Sequence, residues 1–192
     1  MAKIDKVKIR FEKLMLSSVG MVVLDVLVGL LLLNYKSFSV KTTSIIVGSL
    51  LVLHGLFFMI RYLYDGLGEN VFAVDLISSV ASIILGVFAM FNIFDKVKAI
   101  GIIFGIFLVI AAIELGYFGL KFRNKQEEIY PLICFISILY IVMAVFVIVN
   151  PFKRFMLDYR LVGLFLTCYG LLSGLAVRLF YKRSEQVLDI FK

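Results

Sequence analysis

One histidine and a few acidic side chains stand inside the long apolar runs of this chain, and any chemistry it performs must start from them. An ionisable group at the centre of a bilayer costs about 2.5–3.5 kcal/mol on insertion scales, so such residues are few. Asp25 lies nine residues before Asn34, about 13–14 Å along a helix from that polar stop. His54 lies eleven residues after Thr43, about 16 Å along the next apolar run from the same side. As antiparallel neighbours, the two runs bring Asp25 and His54 to matching depth. A carboxylate beside an imidazole is either a proton-responsive pair or a structural hydrogen bond that pins two helices. Arg61, Asp75 and Glu114 form a second group, within roughly 6–11 Å of the opposite boundary by rise per residue. They read as an ion-pair network or as side chains that snorkel separately. Glu114 is the deepest, and its short stem fits snorkelling least.

The elements that must position these groups are written in a triplicated spacing. A small residue is followed by Gly nineteen positions on, and by another small residue seven further. The copies are Gly29–Gly48–Gly55, Gly86–Gly105–Ala112 and Ala144–Gly163–Gly170, offset by 57 and 58 residues. Each covers two long apolar stretches joined by a short polar break. This predicts an all-α membrane protein with six transmembrane helices as three tandem helical hairpins. The expected spans are 14–34, 43–64, 71–92, 98–120, 130–150 and 160–181. They divide the chain into a basic tail 1–13, hairpins 14–66, 71–124 and 130–183, and a second tail 184–192. Asn34, Asn92 and Asn150 close the first span of each hairpin. Seven residues turn a helix through about 700°, so Gly48 and Gly55 share a face, as do Gly105 with Ala112 and Gly163 with Gly170. Gly101–Gly105 and Gly170–Gly174 add the four-residue small-residue spacing through which helix backbones approach closely. The second helix of each hairpin is therefore expected to be the inner, packed one.

Composition excludes a soluble domain. Of 192 residues 62% are hydrophobic and 17% charged, against roughly 25% charged in soluble folds. The net charge of +7 belongs to the flanks of the spans rather than to nucleic-acid binding. Thirteen Lys and Arg fall on the side of the two tails and seven on the other, which places both termini in the cytoplasm. The first apolar run has no A-x-A cleavage site and is expected to be retained as a span. Cys134 and Cys168 lie within apolar runs and read as small packing residues. There is no H-E-x-x-H, G-x-S-x-G or phosphate-loop motif, and neither a nucleophile–base pair nor a metal-binding set. The expectation is a non-enzyme without metal or cofactor.

Three paired segments carry a family resemblance: VLVGLLLLN with IIVGSLLVLHGLFFMIRYL, IILGVFAMFN with IGIIFGIFLVIAAIELGYFGLKFR, and IVMAVFVIVNPFKRF with LVGLFLTCYGLLSGLAVRLFYKR. Together they resemble the short repeat of the HdeD family over 14–183. That resemblance implies a small bacterial inner-membrane protein of six helices, built from hairpins with a Gly-rich first helix, an Asn-Pro turn and a Gly-rich second helix. Asn150-Pro151 keeps the turn, whereas Asn34-Tyr35 and Asn92-Ile93 lack the proline. The family's named member is associated with acid resistance, which implies a role in envelope or acid/stress physiology, and no catalytic residue carries over. Apart from the resemblance, two readings of the residues stand. In one, the glycine faces pack internally, against a second copy or against another membrane protein. In the other, Asp25, His54 and Glu114 line the path of a proton or small-solute channel or transporter. Three hairpins in one common orientation make parallel rather than inverted repeats, which favours the first.

Overall fold

The computed structural model describes residues 2–34, 39–65, 73–91, 97–122, 129–150 and 158–182. Six helices account for nearly all of them: α1 Ala2–Asn34, α2 Val40–Asp65, α3 Ala73–Met90, α4 Val97–Phe122, α5 Ile129–Val149 and α6 Asp158–Lys182. The basic segment set apart above as a tail is continuous with α1, since it holds neither Gly nor Pro to stop a helix. α2 opens on Ser39, whose Oγ accepts the Thr42 N–H at 3.1 Å. At the end of α5, Asn150 adopts a left-handed φ of 41° and its N–H bonds the Phe146 carbonyl at 2.9 Å. The following Pro151 disfavours helical backbone at the residue before it, which helps to end the helix there.

Among the described residues, four stretches are long and apolar enough to cross a membrane: Val40–Ile60, Ala99–Leu120, Tyr130–Val149 and Tyr159–Leu179. The described apolar stretches of α1 and α3, Ser18–Asn34 and Leu76–Met90, are shorter. Leu27, Ile77, Ile113, Ile138 and Leu171 are each more than half exposed on outward faces, as lipid-facing side chains are.

Small residues decide which helices touch. The closest partners are α2 with α3, α4 with α5, and α6 with α1. Each pair joins the second helix of one repeat to the first helix of the next, and α1 closes the ring on α6. A Cβ at Gly48 would stand 2.7 Å from the Gly86 carbonyl oxygen, and one at Gly86 2.6 Å from that of Gly48. The same crossing recurs between Gly163 and Gly29, at 2.9 Å from the facing oxygen, and between Gly105 and Ala144, at 3.3 Å. Helices so close need a glycine on at least one side of the crossing, and the widest of the three is the one where Ala144 carries a methyl. The mates within each repeat, α1/α2, α3/α4 and α5/α6, lie less close together. α4 also packs on α2 and α6, so of the second helices it is the one that touches both others.

Two ends of the bundle are distinguished below. At the turn end α1, α3 and α5 finish and α2, α4 and α6 begin. At the joint end α1 begins and α6 finishes.

Candidate functional site

Asp25 lies one turn before the α1 crossing glycine, Gly29, and His54 immediately precedes Gly55 on α2. Both are drawn inside by those tight contacts, and they are 1% and 3% exposed. His54 Nε2 lies 2.9 Å from Asp25 Oδ1 and 3.0 Å from Oδ2, so one N–H is shared between both carboxylate oxygens. The matching depth expected from rise per residue is thus a direct hydrogen bond across two hairpin mates. His54 Nδ1 is buried and has no hydrogen-bond partner. The imidazole is ringed by aromatic side chains: Phe58 at 5.7 Å, Phe107 at 5.4 Å and Tyr169 at 5.9 Å between centroids. These rings leave the pair in apolar surroundings, where a buried carboxylate is tolerated only with a hydrogen-bonded partner.

The triplicated spacing puts counterparts of this pair at the same level. Asp25, Ser82 and Tyr140 each stand four residues before the first small residue of a copy, and His54, Ala111 and Tyr169 one before its last. Equivalent positions thus hold an acid and an imidazole in the first repeat, Ser and Ala in the second, and two phenols in the third. The Tyr140 and Tyr169 rings lie 5.1 Å apart. Ser173 Oγ donates to the Tyr169 carbonyl at 2.8 Å. Its single proton is then used, so the Tyr140 hydroxyl donates to Ser173 Oγ at 2.9 Å. A further hydroxyl, Ser137, donates to the Ala112 carbonyl at 2.7 Å. Reading the chain by its charges passed over these tyrosines. Superposing the repeats was the signal that would have found them.

Glu114 is half-buried on α4, toward the joint end. The side chains of Arg61 and Asp75 lie outside the described residues, so of that expected cluster only Glu114 is placed. The glycines singled out by spacing are placed at helix crossings: Gly55 against Ser79 and Ile83, Gly101 against Val147, Gly170 against Asp25 and Val26, Gly174 against Val22. Ala112 is buried where Ser137 reaches α4. Cys134 and Cys168 are free thiols, both half-buried. Among the described residues no three His, Cys, Asp or Glu side chains gather as metal ligands would.

The family described as a short repeat of unknown function (DUF308) matches residues 21–91 and again 77–149. The first match runs from within α1 to the residue after α3, and the second from within α3 to the end of α5. Each window therefore contains one close helix pair, α2/α3 or α4/α5, as well as a hairpin. No curated protein and no solved structure matches the chain.

Proposed function

We propose, from the premise that this chain belongs to the family of the short repeat of unknown function (DUF308), that it is a non-enzymatic membrane protein whose three tandem hairpins all span the bilayer. In this reading it resides in a bacterial inner membrane with both ends cytoplasmic, and serves envelope or acid/stress physiology as an HdeD-like protein. It is a membrane protein on the strength of its apolar helices and its family. The finer assignment is supported by the excess of Lys and Arg on the side of the tails and by the repeat segments quoted above.

One observation carries the non-enzymatic reading: the buried acid and base are turned on each other, and aromatic rings fill the space around the imidazole. A general base must reach a substrate proton, whereas this Nε2 is fully engaged by a carboxylate. The chain then acts through its packed form and the surface it presents to lipid or to another membrane protein.

Proton flux into proteoliposomes tests the reading against conduction. Flux equal to that of empty liposomes is expected for the native chain and for Asp25→Asn, His54→Gln and Glu114→Gln. Gradient-driven flux that disappears in one of these variants would replace it with a channel and name the residue. A C-terminal reporter active only in the cytoplasm tests the orientation.

A further inference from the structure

The interior is unequal about the level of Asp25 and His54. On the turn-end side a dense apolar layer separates the pair from the buried Thr43, Ser44 and Asn150 at the rim: Leu32, Val47, Leu51, Ile100, Leu161 and Val162 are each 2% exposed or less. Phe104, 1% exposed, stacks beneath them on Phe107. On the joint-end side the described apolar core thins to Ala112, Ile133, Ile136 and Ala176. Hydroxyls and a carboxylate gather there instead: Ser78, Ser79, Ser137, Ser173 and the half-buried Glu114. The crossing of α1 with α6 loosens in the same direction. A Cβ at Gly174 would meet only Val22, at 3.1 Å, and one at Gly20 nothing within 4 Å.

A proton needs hydrogen-bonding groups or water to travel along, and packed aliphatic side chains provide neither. On the joint-end side of the pair such groups are the buried hydroxyls of Ser78, Ser79 and Ser137 and the Tyr140–Ser173 bond, beside Tyr169, whose ring lies against His54. The receiving group is the buried Nδ1 of His54, which has no partner. We propose that the Asp25–His54 pair is a proton-binding site open to the joint end of the bundle and sealed from the turn end. Among the described side chains, the titratable groups nearest it are Tyr169 from α6, whose ring lies against the imidazole, and Tyr140 from α5, which lies against Tyr169, while Glu114 of α4 stands on the joint-end side. The described side chains of α3 at this level and below bring Ser78, Ser79 and Ser82. The site binds a proton without passing it across, because its path stops at the pair.

The single histidine makes the test direct. In the full-length chain with ¹⁵N-labelled histidine, reconstituted in one orientation in liposomes, the ring nitrogen resonances report His54 alone. Changing only the joint-end buffer from about pH 8 to about pH 5 is expected to shift them, and the same change at the turn end to leave them still. Resonances that follow the turn-end buffer, or neither buffer, overturn the proposal. A second measurement needs no change at the pair. In a Cys134→Ala/Cys168→Ala background, Ser173→Cys is expected to react with a membrane-impermeant thiol reagent added at the joint end. Leu51→Cys and Leu166→Cys are expected to react from neither end. Labelling of the latter two from the turn end, or no labelling of Ser173→Cys from either, also overturns it. Proton flux through proteoliposomes would contradict the seal and overturn the proposal as well.

Discussion

Asp25 and His54 hold one another in a place where either alone is a liability. Removing the imidazole by His54→Leu leaves the carboxylate of Asp25, 1% exposed, buried without its partner, a loss on the order of 3–5 kcal/mol. Replacing both, as Asp25→Leu/His54→Leu, removes the charge together with its partner, so the double variant is expected to unfold later in denaturing detergent than His54→Leu does. A double variant no more stable than the single would mean that the pair is not the reason for the loss. Asn150 makes a second prediction at this scale. Its left-handed backbone is easy for Gly and hard for a β-branched residue. Asn150→Gly should change stability little, and Asn150→Val should cost about 1–2 kcal/mol in the same assay. The acid–base pair was legible in the chain because depth follows from counting residues along a helix. Tyr140 and Tyr169 were not, because a tyrosine within an apolar run looks like ordinary packing until the repeats are laid over one another.

Helices of this composition conceal their neighbours. α4 and α5 are apolar around their whole circumference, so no polar face marks which side meets lipid and which meets protein. The glycine stripes therefore announced that a face packs closely without saying onto what. The hairpin reading paired helices that follow one another within a repeat, but the crossings fall between repeats. The reason lies in register: the first small residue of each copy comes level with the glycine of the copy before it, as Gly86 with Gly48. Gly86→Val would drive a side chain into backbone on α2, which cannot move aside as a flexible side chain can. It is expected to lower stability by about 1–3 kcal/mol or to prevent folding. Gly20→Ala meets nothing and should be neutral or gain up to about 1 kcal/mol from helix propensity. Thermal unfolding in detergent of the two variants side by side checks the contrast, and equal effects would count against the crossings.

At the scale of the molecule, three close pairs form a ring, and its closure unites the helices furthest apart in the chain. A Cβ at Gly174 lies 3.1 Å from a Val22 methyl carbon, which suits the spacing of a disulfide. In a chain lacking Cys134 and Cys168, Val22→Cys/Gly174→Cys should therefore cross-link under mild oxidation, seen as a faster-running band that reductant reverses. Failure to form it would break the ring. The closure also has a consequence for manufacture. Gly29 leaves the ribosome 134 residues ahead of the glycine it crosses, Gly163, an interval of roughly 7–27 s at about 5–20 residues per second. Throughout that interval the earliest helix has its acidic, glycine-notched flank without its eventual neighbour. A nascent chain interrupted before α6 carries that flank uncovered, a mark by which membrane quality control can tell an unfinished copy from a finished one.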